Sequence, residues 1–231
     1  MTIEESVFIK EGAQPGRFAD RSDAGRQLAA RLLPLAGENP LVLGLPRGGV
    51  PIAEEVATLL GAPLEILAVR KLGAPHNPEY GIGAIAEGRT KVLDQEVLAL
   101  LGINNGTLRH IVERESAELE RRVEAYRGNR PRPSLRDRTV IVVDDGVATG
   151  VTDTAALRAA RREGPRRLVL AVPVCAPDSL ARLRREADEV VCLVAPPQLR
   201  GVGEWYADFA QVSDDQVVAA LGRARSRWAA A

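Results

Sequence analysis

The stretch VIVVDDGVATGVT, residues 140–152, decides the fold. Four apolar residues, Val140 to Val143, run into two adjacent acids, Asp144 and Asp145, and small residues and hydroxyls follow. A continuous β-branched run reads as a strand covered on both faces, the pattern of a parallel sheet. Two neighbouring carboxylates repel one another and resist burial, so something cationic or rich in hydroxyls has to satisfy them. The Gly-rich turn then opens a helix at about Thr149, and the first N–H groups of a helix lack internal partners and carry partial positive charge. Backbone amides and the hydroxyls of Thr149 and Thr152 therefore converge on one point. An anion belongs there, with hydroxyl groups one step away at the acids. A ribose 5-phosphate has that shape.

The same alternation extends in both directions. Upstream, residues 20–36 carry Leu28, Leu32 and Leu35 at helical spacing, with Ser22 or Asp23 as the expected N-cap. A strand is expected over 41–45, a helix from Val50 to Gly61, and a strand over 64–71. Strand, helix, strand requires a parallel crossover. Residues 72–81, LGAPHNPEYG, read as a mobile loop, and IGAIAEGRTKVL as a hairpin turning at Glu87-Gly88. A short helix, a break at GINNG and a long polar helix over 107–126 follow, and then a Pro-containing linker. Downstream of the opening stretch come a helix to Glu163, the strand RLVLAVPV, a helix over 178–186, the strand EVVCLVA and a final helix over 214–223. The expected fold class is α/β, with a doubly wound, mainly parallel sheet flanked by helices.

A chain of 231 residues suits one main core. With 31 basic against 31 acidic residues the formal charge is zero, so no overall basic field points to nucleic acid, although Arg121, Arg122, Arg127, Arg130 and Arg132 could form a local basic face. The start, MTIEESVFIKEG, lacks the pattern of a secretory signal, and no run of eighteen apolar residues occurs, which leads to the expectation of a soluble, cytoplasmic protein. Cys175 and Cys192 lie in apolar runs and read as buried thiols. His76 and His110 lack companions at metal-ligand spacing.

Ligands of open α/β sheets lie at the carboxyl ends of the strands. In LGLPRGGVPIA, Gly48 and Gly49 let the backbone approach an oxyanion, and Arg47 offers a planar fork to phosphate oxygens. Arg70-Lys71 closes the next expected strand. Gly81 to Ala86 matches the loose dinucleotide pattern G-x-G-x-x-A, but it follows no strand and opens no helix, so it fails in context.

The ordered set of hydrophobic strand, Asp-Asp, small residues and Thr-Gly-x-Thr resembles the phosphoribosyl pyrophosphate (PRPP) signature of type I phosphoribosyltransferases. The resemblance covers about residues 40–195. It implies that Asp144 and Asp145 bind the ribose hydroxyls, and that Gly146, Val147, Ala148, Thr149, Gly150 and Thr152 grip the 5-phosphate. It also implies that Arg47, Gly48, Gly49, Arg70 and Lys71 face pyrophosphate. Glu79 and Tyr80 resemble the end of the family's mobile loop, and a hood over the acceptor base would come from residues 1–20 and 196–231. Trp205, Tyr206 and Phe209 are its stacking candidates; such aromatics also serve simply to pack a tail.

The implied reaction is phosphoribosyl transfer from Mg²⁺-PRPP to a nitrogenous base or another amine, with Mg²⁺ held mainly through PRPP and pyrophosphate released. The acceptor is not legible. A sensor of PRPP that performs no transfer is the alternative from another class; a phosphosugar hydrolase lacks a clear nucleophile and base. The segment 95–127 exceeds the family's minimal core and is expected either to pack on the core or to meet a second subunit in a homodimer.

Overall fold

The computed structural model describes residues 16–229, apart from the side chains of Pro78 and Glu79. The N-terminal part of the expected hood, residues 1–15, lies outside them. Five strands, β1 (Pro40–Gly44), β2 (Leu64–Ile66), β6 (Thr139–Val143), β7 (Arg167–Val174) and β8 (Glu189–Val194), form a parallel sheet in the order β2-β1-β6-β7-β8. Every residue of β1 and β6 is buried. That is the consequence of placing a strand in mid-sheet between two helical layers, and it explains why these segments are unbroken apolar runs.

Helices α1 (Arg21–Leu32) and α2 (Gly49–Leu60) pack together on one face of the sheet, joined there by α7 (Asp214–Ala229). Leu28, Leu32, Ile52, Val56 and Leu221 share a core with Val42, Ile141 and Val169. On the other face α5 (Val151–Arg161) and α6 (Pro177–Leu183) cover Leu43, Val140, Val142 and Leu170, and both cysteines are buried in that layer or the strands beneath it. Burial pushes the Cys192 thiol up to about 12, so both sulfurs behave as apolar packing groups.

Three expectations need correction. The strand expected over 64–71 is two strands. After Ile66 the chain leaves the parallel sheet: Leu67 N–H bonds back to Gly44 C=O at 3.1 Å, and Ala68 N–H donates to the Glu87 carboxylate at 2.8 Å. It continues as β3 (Val69–Ala74), which pairs antiparallel with β4 (Asn77–Ala86), and β4 pairs with β5 (Thr90–Leu93). The expected loop 72–81 is therefore hairpin, with a turn at Pro75-His76 and irregular register at Leu72 to Ala74. Its Gly and Pro residues mark the turn and the bulge and leave the pairing intact. The decoy Gly81 to Ala86 lies in β4. At the start of α1 the cap is Asp20, ahead of both Ser22 and Asp23: its carboxylate accepts from Asp23 N–H at 2.7 Å.

The long helix α4 (Asn105–Arg127), preceded by α3 (Gln95–Leu100), packs against β3, β4 and α7 of its own chain. Glu115 takes the Arg70 guanidinium from Nε at 3.1 Å and also from Nη2. At the C-terminal end Arg127, 5% exposed, donates to Glu87, to Glu65 and to Ile66 C=O, tying both sheets together. Among the described residues no helix is long and apolar enough to cross a membrane.

Candidate functional site

From β1 the chain steps outward to β2 and later returns to β6 on the opposite side of β1, so the strand order reverses between β1 and β6. The carboxyl ends of the two strands are in register, Gly44 beside Val143. A crevice outside such a reversal is where open α/β sheets hold ligands. Two segments nearly a hundred residues apart in sequence meet here.

The contact is close. Leu45 N–H donates to Val143 C=O at 2.9 Å, and the turn Pro46-Arg47-Gly48, which contains a cis peptide between Pro46 and Arg47, leads straight into α2. A methyl group on Gly48 would lie 1.9 Å from Asp145 Oδ2, and one on Gly49 would lie 2.4 Å from Val143 C=O. Only glycine leaves room for the acid pair at this point. The structure thus brings Gly48 and Gly49 against Asp144 and Asp145.

After the acids, Gly146, Val147, Ala148 and Thr149 form the turn and Gly150, at φ 69°, caps α5. Thr152 sits in the first turn. Val147 is pinned by an isolated bridge to Cys175. The helix begins at Val151, two residues later than expected.

Electrostatically the site is a cluster of acids relieved by a cation that the sequence reading missed. Arg21, at the start of α1, donates to Asp145 Oδ2 from Nε at 2.9 Å and lies 2.8 Å away through Nη2; its Nη1 reaches Ala210 C=O at 2.8 Å. The guanidinium lies 3.8 Å above the Phe209 ring centre. Burial raises the Asp145 carboxyl above its ordinary range while Arg21 pulls it down. Asp144 is raised further, by burial first and then by the charges of Asp153 and Asp145. Asp153, 3% exposed in the first turn of α5, is pushed up to about 7 by burial, and its Oδ1 has no hydrogen-bond partner among the described residues. As a first-turn acid Asp153 looks like an ordinary helix-dipole residue, and only packing reveals it as a third carboxyl behind the pair.

The aromatic tail reaches the same place. Tyr206, 3% exposed, donates its hydroxyl to Asp145 C=O at 2.6 Å and stacks between Phe18 and Phe209, with ring centres 5.4 and 4.9 Å away. Trp205 ends a short 3-10 turn, and its C=O accepts from Phe18 N–H at 2.8 Å. Tyr206 therefore packs the tail onto the site, and the Arg21 fork covers one face of Phe209.

The remaining candidates divide. Arg47 stays at the crevice, 3.7 Å from Asp214 at the start of α7, where Asp214 also accepts from the Tyr126 hydroxyl. Arg70 lies on the second sheet and turns to Glu115. Lys71 runs beside Gly81 across the hairpin, and Tyr80 is 45% exposed on β4. The Glu79 side chain lies outside the described residues. Among the described residues no group of three or more His, Cys, Asp or Glu is placed to hold a metal ion.

Comparisons with known proteins agree with this architecture. Residues 19–208 match the family model described as "Phosphoribosyl transferase domain". The chain is 48% identical over 214 residues to the Mycobacterium tuberculosis H37Rv protein named "Putative phosphoribosyl transferase Rv0571c", and equally to MT0597 of strain CDC 1551. The match covers 93% of this chain and 48% of each relative, so the chain spans about half the length of the curated relatives it matches. The crystal structure of TT1426 from Thermus thermophilus is 47% identical, with a TM-score of 0.75 over 89% of this chain and 97% of that one. By the span of the family match and the identity of these relatives, the chain belongs to the phosphoribosyl transferase domain family.

Proposed function

We propose that the chain binds PRPP with Mg²⁺ and transfers its phosphoribosyl group to a nitrogen nucleophile, releasing pyrophosphate. The observation that carries this reading is the meeting, at the sheet's reversal point, of an acid pair, a Gly-Gly turn and an amide-lined helix start. Asp144 and Asp145 accept hydrogen bonds from the ribose 2- and 3-hydroxyls. Amides and hydroxyls from Gly146 to Thr152 hold the 5-phosphate. The acceptor nitrogen forms its bond to the anomeric carbon as the bond from that carbon to pyrophosphate breaks, and the proton on the nitrogen passes to solvent.

Positive charge develops on the sugar and negative charge on the leaving group, so holding the charges in place supplies much of the catalysis. The turn at Arg47, Gly48 and Gly49 faces pyrophosphate, with Lys71 further along the hairpin; Arg70, committed to Glu115, is better placed to fix that hairpin than to meet the substrate. Mg²⁺ would be held mainly through the phosphates of PRPP and its own waters and would supply neutralisation of their charge, with Asp144 and Asp145 kept for the ribose hydroxyls. The tail carrying Trp205, Tyr206 and Phe209 is read as the hood over the acceptor, and Arg21 shares Asp145 with the sugar.

Calorimetric titration with PRPP, with and without Mg²⁺, tests the binding step, and pyrophosphate release against a panel of bases and amines tests the transfer. Binding strengthened by Mg²⁺ and release with at least one acceptor are expected. Absence of PRPP binding overturns the reading; binding without release for any acceptor favours a sensor.

A further inference from the structure

The outer side of the turn 147–149 is bonded in an unusual succession. Val147 C=O accepts from Ala176 N–H at 2.9 Å. Ala148 C=O accepts from the Ser179 hydroxyl at 2.7 Å, and Thr149 C=O accepts from Arg182 Nη2 at 3.0 Å. Arg182 Nη2 also donates to Ser179 Oγ at 3.0 Å, so the two side chains form one unit on α6. Ser179 is 1% exposed, and the space above Gly150 is filled by Ser179 and Leu183. Three consecutive carbonyls thus point the same way, toward α6 and the residue before it.

A trans peptide unit sends its C=O and N–H in opposite directions. The peptides here are trans, since the described residues hold one cis bond, at Pro46-Arg47. Fixing the carbonyls of 147, 148 and 149 outward therefore fixes the amides of Ala148, Thr149 and Gly150 inward, as three successive N–H groups facing one concavity. Among the described residues none accepts a hydrogen bond from those amides. Such a row of parallel N–H groups is an anion-binding nest. Glycine-rich turns are otherwise free to rotate these peptide planes.

We infer that Ser179 and Arg182 are positioning residues, which preorganise the 5-phosphate nest by holding its carbonyls from behind. The inference rests on the reading of residues 146–152 as the 5-phosphate site. Neither side chain need touch the ligand. Ser179 acts without charge, so its effect is one of geometry alone. Arg182 adds a second anchor one helical turn further on, and it locks the Ser179 hydroxyl toward Ala148.

The test is calorimetric titration of the unaltered chain, Ser179→Ala, Arg182→Ala and the double variant with ribose 5-phosphate and, separately, with inorganic pyrophosphate. Each single variant is expected to weaken ribose 5-phosphate several-fold and the double variant roughly tenfold or more, the scale of one or two hydrogen bonds. Pyrophosphate affinity is expected to stay within about twofold, because its turn, Arg47 to Gly49, lies on the other strand end. The loss in Ser179→Ala is expected to persist at about 0.5 M salt, where charge attraction over more than about 4 Å is screened. Arg182 is exposed, so Arg182→Ala tests the idea even if Ser179→Ala fails to fold. Undiminished ribose 5-phosphate affinity in the variants, or equal loss for both ligands, overturns the inference alone. Failure of the unaltered chain to bind ribose 5-phosphate or PRPP overturns the phosphate-site reading and the inference with it.

Discussion

Arg21 and Asp145, 124 residues apart in sequence, form a nearly buried ion pair in which two guanidinium nitrogens converge on one carboxylate oxygen. Among the described residues Arg21 is the cation bonded to that carboxylate; Asp144 and Asp153 beside it are acids, and Arg47 in the Gly48 turn pairs with Asp214. Removing Arg21 leaves Asp145 beside Asp144 and the buried Asp153 with no cation bonded to it. Arg21→Met, which keeps a stem over Phe209, is expected to lower stability by about 2–4 kcal/mol in urea unfolding. Arg21 lowers the folded-state pKa of Asp145, so the loss should be larger at pH 8 than at pH 5. Equal loss at both pH values would show that the stack on Phe209, and not the ion pair, is what matters.

Gly48 and Gly49 differ in what a methyl group would meet. At Gly48 it meets the end of a side chain, Asp145 Oδ2, which can swing aside. Gly48→Ala is expected to fold, to lose about 1–2 kcal/mol, and to weaken PRPP binding at least tenfold by displacing Asp145 from its place. At Gly49 the obstacle is Val143 C=O, backbone of a central strand. Gly49→Ala should cost about 3 kcal/mol or more, or prevent folding. Thermal melts of the two variants, with calorimetry on Gly48→Ala, check the contrast.

Asp153 gives a pH dependence with a definite sign. Folding raises its carboxyl from 3.8 to about 7, so the folded chain holds the proton more tightly than the unfolded chain. The stability it contributes is complete below pH about 4 and is lost as the pH climbs to about 7. Asp153→Asn, which never ionises, is expected to melt higher than the unaltered chain at pH 8, by the equivalent of about 1–2 kcal/mol, with little difference at pH 4. A constant offset across that range would remove Asp153 as the titrating group.

Arg127 is the cation common to Glu65 and Glu87, and it also holds Ile66 C=O. Arg127→Met strands two carboxylates in a nearly dry environment and should cost about 3–5 kcal/mol. The triple change Arg127→Met, Glu65→Gln, Glu87→Gln should recover part of that loss, since the cost comes from leaving the acids unpaired. Chemical denaturation of both variants distinguishes the two sources.

Much of the fold was legible because its information is local. Val140 to Asp145, Pro40 to Gly44 and the helices after them announce themselves through unbroken apolar runs and glycine stops, and the Gly48-Gly49 and Asp144-Asp145 signatures each lie within a few residues. The split of 64–71 was not legible. Apart from Glu65, Leu64 to Val69 is apolar, and what ends β2 is Glu87, from nineteen residues beyond Ala68, accepting the Ala68 N–H. Arg21 was missed for the same reason: nothing near it in sequence names its partner. The pairing of Arg70 with Glu115 was equally illegible, because the two residues are 45 positions apart and only the packing of α4 brings them together. Ser179 and Arg182 are ordinary residues of a short helix until the turn they hold is placed behind them.

The approach of Gly48 to Asp145 also bears on how such loops can be exchanged between proteins of this shape. Each loop is the wall of the other's socket, with less than a methyl group of clearance between them. A graft that carries only the segment around residues 140–152, or only that around 44–50, imports one half of a fitted joint. The workable unit of transfer is the pair, together with the arginine from the first helix that closes it.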